Sequence, residues 1–226
     1  MTSSTWPLRI CGEELLLHPE RAVIWPRCHT VIVADTHFGK SSYFAWHGIA
    51  VPAGADEGDR ERLERLLEDS SARRLVILGD FLHSPQIEGM AESERLKSWV
   101  EGVGNSVEIH VVAGNHDRGG PWTRPKTLQW WDAEWCIPPF RFIHEDEHAY
   151  SGGTNECFAL SGHVHPVLRV RNGRKGVMQV PVFWQRQAGM ILPSFGSFTG
   201  GFAVRPCSGQ RIYAVASDAV VPIARG

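Results

Sequence analysis

The sequence predicts an α/β fold, with a sheet of parallel strands joined through helices and a second, more antiparallel sheet after it. Three features predict it. Apolar, β-branched runs such as Thr30-Val31-Ile32-Val33-Ala34 and Leu75-Val76-Ile77-Leu78 suit strands buried on both faces. Segments with apolar residues at helical spacing lie between the first of these runs. Beyond His165 the pattern turns to short strand-like segments around an Asn172-Gly173 turn signal, which is hairpin chemistry.

The first thirty residues read as three short strands, Leu8–Cys11, Leu15–Leu17 and Ala22–Trp25, set apart by Gly12-Glu13 and by Pro and Arg punctuation. The run Thr30–Ala34 stops at Asp35. A helix over Glu57–Leu67 puts Leu63, Leu66 and Leu67 on one face and pairs Glu61 with Arg65. The run Leu75–Leu78 stops at Gly79-Asp80. A helix over Ala91–Val103 aligns Leu96, Trp99, Val100 and Val103, with Gly104 as its expected C-cap. Val107–Val112 stops at Ala113-Gly114-Asn115-His116. Phe140–Ile143 stops at His144, and Cys157–Leu160 at Ser161-Gly162-His163. Val167–Val170 and Gly176–Trp184 form the hairpin, and Ile191, Phe202–Val204 and Ile212–Ala216 continue the β character. No linker is long or polar enough to mark a boundary, so residues 1–226 read as one domain.

Composition narrows the function. Apolar residues are 42% and charged residues 21%, as in an ordinary globular chain rather than a disordered one. No run approaches the roughly 18 apolar residues of a membrane span, so no membrane role is expected. The N-terminus lacks a basic stretch followed by an apolar one, which argues against a secretory signal. Five cysteines without a CxxC pair argue against a disulfide framework and for a reducing, cytoplasmic setting. The net charge of -2 hides an asymmetry: residues 157–217 hold seven bases and no acid, whereas residues 1–156 hold 15 bases and 24 acids. Such a segment suits an anionic ligand, or it is a chance distribution over a folded surface. Without a GxxxxGK[ST] loop a P-loop enzyme is excluded, and the strand content argues against a helix-turn-helix DNA reader.

The polar residues with chemistry sit where strands stop. In open α/β sheets ligands bind beyond the carboxyl ends of strands. Five strand ends bring Asp35 and His37, Asp80, Asn115 and His116, His144, and His163 and His165 toward one rim. Carboxylate, imidazole and amide oxygen suit a first-row divalent ion. Each piece alone is an ordinary turn or cap signal; the series in this order is not.

The series Asp35-Thr36-His37, Gly79-Asp80, Gly114-Asn115-His116-Asp117, a later His, and Gly162-His163-Val164-His165 resembles the calcineurin-like metallophosphoesterase superfamily. Over nearly its full length the chain is similar to the bacterial ligase-associated DNA-damage-response metallophosphoesterases. Glu20-Arg21-Ala22, Trp25, Ala34 to Lys40, Gly79 to His83, Gly162 to Pro166 and Leu192 to Gly201 carry that similarity. The resemblance implies a four-layer α/β/β/α sandwich of two mixed sheets flanked by helices. It implies two divalent ions, Mn foremost, with Fe, Zn or Co as other occupants of such N/O sites. It implies phosphodiesterase activity on DNA, as an endonuclease in repair, beside partners such as a ligase, a helicase or an exonuclease.

Carried over by residue, Asp35, His37 and His165 resemble ligands of one metal, and Asn115, His144 and His163 ligands of the other. Asp80 resembles the bridging carboxylate. His148, four residues beyond His144, competes for the middle position. His116 resembles the non-ligand histidine that faces the phosphate. Two ions about 3.5–4 Å apart neutralise the phosphate and lower the pKa of a bridging water toward ~7, so that hydroxide attacks phosphorus in line. His116 would assist the leaving oxygen, and Asp117 is a candidate to orient its ring. Arg118 is the candidate phosphate contact. Arg124, Lys126, Arg169 and Arg171 read either as backbone contacts or as solvated charges. His83 reads as a rim residue or a structural one. Trp122, Trp130, Trp131 and Trp135 read as a base-stacking surface or as core. Ser194–Gly201 either packs against the metal rim or is a plain turn. A small phosphoester (a phosphomonoester, cyclic nucleotide or dinucleoside polyphosphate) is the alternative substrate, and a catalytically silent protein-binding scaffold the alternative class.

Overall fold

The structure, a computed structural model, describes residues 4–51, 54–145, 157–171, 176–205 and 207–223. Among these residues it contains two mixed sheets and three α-helices. The first sheet begins as an antiparallel meander of β1 (Trp6–Ile10), β2 (Glu13–His18), β3 (Ala22–Trp25) and β4 (Thr30–Ala34). It continues in parallel through β5 (Arg74–Leu78), β6 (Glu108–Val112) and β7 (Leu128–Trp131). Between these strands run α1 (Lys40–Trp46), α2 (Ala55–Asp69) and α3 (Ala91–Gly104).

The second sheet contains β8 (Glu134–Ile137), β9 (Phe140–Ile143), β10 (Phe158–Ser161), β11 (Pro166–Arg171), β12 (Val177–Gln185), β13 (Gly189–Ile191), β14 (Phe202–Ala203), β15 (Arg211–Val215) and β16 (Val220–Pro222). Strands β9, β10 and β13 are parallel, and β11–β12 is the expected antiparallel hairpin. Its Asn172-Gly173 turn lies outside the described residues.

Alternation along each strand explains the layers. Ile32, Ala34, Val76, Leu78 and Val112 face the second sheet and pack with Phe140, Phe142, Leu160, Phe183 and Met190. Val31, Val33, Leu75, Ile77, Ile109 and Val111 face the other way, onto Leu63, Leu66 and Leu67 of α2 and Leu96 and Val100 of α3. This two-sided burial is what the unbroken apolar runs demanded. The sandwich of two mixed sheets is as expected. Among the described residues the helices pack on the first sheet, and a small cluster around Val182, Trp184 and Ile212 packs in the second. Gly104 is not a cap: it is the last residue of α3, and Asn105 follows as the C-cap.

Candidate metal centre

Register sets the rim. Ala34 lies opposite Leu78, and Leu78 opposite Val112, so β4, β5 and β6 end level. Asp35, Asp80 and the Gly114–His116 loop therefore leave the first sheet together. From the second sheet, β9 delivers His144 and β10 delivers His163 and His165 to the same place. Asp35, His37, Asp80, His163 and His165 all hold positive φ, between 45° and 68°. Such a conformation costs a non-glycine residue on the order of 1–3 kcal/mol. Five of the nine non-glycine residues with positive φ among the described residues gather at this one rim.

The backbone also comes close to those side chains. A Cβ on Gly114 would lie 2.2 Å from the Asp80 backbone nitrogen, and one on Gly79 would lie 1.9 Å from His144 Nδ1. Glycine is needed at both because the candidate ligands occupy the space a side chain would take.

Three groups of candidate ligand atoms occur among the described residues, each within 4.8 Å across: Asp35, His37, Asp80 and His165; Asp80, His144 and His163; and His37, His83 and His116, which holds no carboxylate. Asp80 belongs to the first two. In the first group His37 Nε2 is 3.3 Å from His165 Nε2 and 3.7 Å from Asp80 Oδ2, and His165 Nε2 is 3.6 Å from Asp35 Oδ1. In the second, Asn115 Oδ1 lies 2.9 Å from His144 Nε2 and 3.1 Å from His163 Nδ1, which are 3.1 Å from each other. His144 Nε2 is 3.5 Å from Asp80 Oδ1.

Hydrogen bonds behind the rings fix their tautomers. His144 Nδ1 donates to Leu78 O at 3.2 Å and His165 Nδ1 to Gly200 O at 3.1 Å, because a carbonyl can only accept. Both Nε2 atoms then turn lone pairs inward. Outer partners of this kind commonly orient metal-binding histidines. His163 Nε2 lies 3.3 Å from Glu145 Oε1, and its Nδ1 faces Asn115 Oδ1 and His144 Nε2. Converging lone pairs with two buried carboxylates form a donor set that fits divalent cations. Burial, and then the neighbouring His165 and Lys40, hold the His37 imidazole well below its usual range, so it is neutral and able to ligate. The His165 ring is raised: burial opposes its charge, and the Asp35 carboxylate outweighs that.

His116 lies at the edge of this site. Its Nδ1 donates to His83 O at 2.7 Å, and its backbone N–H donates to Asp80 Oδ1 at 2.9 Å. Asp117 does not orient it. The Asp117 carboxylate points inward and accepts from the backbone N–H groups of Phe81, Leu82 and Gly114. His83 stacks on His116 with centroids 5.3 Å apart, and burial pushes its pKa down to about 4. Asn115 and Arg118 are exposed. His148 lies outside the described residues. The tryptophans do not form one surface: Trp122 is buried, Trp130 packs on the helix side, and Trp131 and Trp135 stack with His110 against the inter-sheet core. Arg169 and Arg171 are exposed on β11.

Ser194–Gly201 packs on the rim. Ser194 Oγ and Gly196 N both donate to Asp35 O, and Phe195 N donates to Ala34 O at 2.7 Å. A charged network that sequence reading did not anticipate holds this loop. Arg62 donates to Phe195 O and to Asp59, with its guanidinium 3.9 Å from the Phe195 centroid. Asp59 accepts from Ser197 N and Oγ, and Arg21 donates to Ser194 O and Gly196 O. The sequence hint was Glu20-Arg21, an odd pair of charges beside a buried strand.

A calcineurin-like phosphoesterase family model matches residues 29–191. No curated protein matches the chain. Among solved structures, the nuclease MPE of Pseudomonas putida is 32% identical at a TM-score of 0.81, with 97% of this chain and 100% of that chain covered. The phosphoesterase Yfce of E. coli is 20% identical at a TM-score of 0.43, with 86% and 98% covered. The family match over most of the length, and a relative aligned end to end, show that the chain belongs to the calcineurin-like phosphoesterase family and is a metal-dependent phosphoesterase.

Proposed function

We propose that the protein is a binuclear, Mn-supported phosphodiesterase that cuts DNA. The observation that carries this reading is the pair of converging donor clusters that share Asp80. Asp35, His37, Asp80 and His165 would hold one ion, and Asp80, Asn115, His144 and His163 the other. When bound, such ions supply charge that neutralises the phosphate and acidifies a water toward a pKa of ~7. Asp80 is buried within the donor set, whereas Asn115 is exposed to solvent. His116, with Nδ1–H tied to His83 O, leaves Nε2 to carry a proton to the leaving oxygen. Help of that class is worth roughly 10²–10⁴ in rate. Arg118, exposed just past this loop, is the phosphate contact.

A nucleic-acid substrate is supported by the full-length relative described as a nuclease and by the acid-free segment 157–217. Repair, beside a ligase, helicase or exonuclease, is the setting that the family resemblance suggests. Supercoiled plasmid tests the reading. Metal-stripped protein is expected to leave it intact and to nick it when Mn²⁺ is returned, and His116→Ala is expected to lose the nicking. Metal-loaded protein that leaves plasmid intact would overturn the DNA reading in favour of a small phosphoester.

A further inference from the structure

We infer that Phe44 and Phe198, with Lys40 between them, form a subsite that stacks an unpaired nucleobase beside the scissile phosphate. This rests on the DNA reading above and narrows it to single-stranded or locally opened substrate.

A continuous series of rings leads outward from the metal centre. His37 lies 5.0 Å from His116, His116 stacks on His83, and the His83 centroid is 5.1 Å from that of Phe44. Phe44 then meets Phe198 edge to face at 6.0 Å and 83°. Lys40 Nζ is 5.8 Å from both phenyl centroids. The two rings come from different elements: Phe44 from α1, which starts just past His37, and Phe198 from the loop that braces Asp35 and His165.

Phe198 is the informative residue. Three positions earlier in the same loop, Phe195 is fully buried, whereas Phe198 is 37% exposed. It belongs to none of the three apolar clusters of the described residues. Single exposed rings are ordinary on a protein surface; this one is set apart by its ring contact with Phe44 and its closeness to Lys40 beside the rim. An apolar wall beside the rim, with a cation equidistant from its two rings, matches what a nucleotide presents. The base offers a flat face and the next phosphate a negative charge. The bases of an intact duplex are already stacked, so the wall discriminates for unpaired ones.

The test is a double-perturbation cycle on a short single-stranded oligonucleotide with one hydrolysable phosphodiester, the other linkages being methylphosphonate. It is made with both flanking bases, or with an abasic residue on the 5′ or the 3′ side. Phe198→Ala is expected to lower kcat/KM on the base-bearing strand by about 5- to 160-fold, the size of one base–aromatic stack. Removing the base on one side is expected to cost wild-type protein as much. The two losses together should not multiply, and Phe198→Trp should retain activity. If Phe198→Ala cuts the base-bearing strand at the wild-type rate, or if the losses multiply at both flanks, the subsite is wrong while plasmid nicking leaves the nuclease reading intact. Failure to cut plasmid or oligonucleotide removes both.

Discussion

Replacing Gly114 by alanine isolates the contact on which the shared carboxylate depends. The Gly114 backbone is not left-handed, so alanine brings no conformational penalty of its own. Its Cβ would lie 2.2 Å from both Asp80 N and Asp80 Oδ1, and 2.9 Å from Asp80 Cγ. Ordinary carbon contacts need about 3.5 Å, so something must move by roughly 1 Å. Gly114 cannot retreat easily, because its N–H is held by Asp117 at 2.8 Å and the same carboxylate holds Phe81 and Leu82. Asp80 is the side that gives, and it carries the His116 backbone with it. Overpacking of this kind costs about 1–3 kcal/mol. In a domain of this size that lowers Tm by roughly 2–12 °C. Displacing a reacting group by about 1 Å costs on the order of 10²-fold in rate. Melting followed by circular dichroism gives the first quantity, and Mn²⁺ titration of bis(p-nitrophenyl) phosphate hydrolysis gives the second. Gly102→Ala is the control, since nothing lies within 4 Å of its Cβ position. In the interior of α3 it should stabilise by about 0.5–1 kcal/mol and leave activity unchanged. A Gly114→Ala protein with wild-type Tm and wild-type kcat/KM would refute the reasoning.

Two further outcomes follow from groups away from the metal rim. Arg62→Ala removes the bond to Phe195 O and the ring contact, and leaves buried Asp59 without its guanidinium. We expect a loss of roughly 2–3 kcal/mol in urea unfolding, with activity partly restored by excess Mn²⁺ because every ligand remains; undiminished stability would count against the network. Asp56, raised by burial and then by Glu92 to about 6, titrates at higher pH folded than unfolded. The folded state therefore binds the extra proton, and stability falls as pH rises from about 4 to 6. Asp56→Asn should remove that slope and leave the variant more stable by roughly 2–3 kcal/mol above pH 6. Parallel stability–pH curves for the two proteins would show that Asp56 does not carry the burial cost.

The rim was legible in the sequence because strand ends are. An apolar run that halts at Asp35, Gly79-Asp80 or Gly114-Asn115-His116 announces both the strand and the place where its polar residues emerge. His144 was legible for the same reason. Less was visible where segments are short or contacts distant. Lys40–Trp46 spans seven residues with no apolar stripe, so α1 left no periodic signal. In β7, Trp130 and Trp131 face opposite layers, which adjacency in sequence disguised as one aromatic surface. Adjacency misled again at Asp117, whose carboxylate turns away from His116 to cap backbone N–H groups. The Arg21–Gly196 contact joins residues 175 positions apart, and no local pattern encodes it. Sequence motifs thus located residues that the fold gathers at one rim, whereas the groups that hold them in place became visible only in the fold.

Metal content per chain tests the central claim most directly. Protein stripped by chelator, reloaded with Mn²⁺, desalted and assayed by elemental analysis should hold two ions per chain, and Asp80→Ala should hold one or none under the same conditions. Two ions retained by Asp80→Ala, or a single ion in the wild-type protein, would contradict a binuclear centre that shares the Asp80 carboxylate.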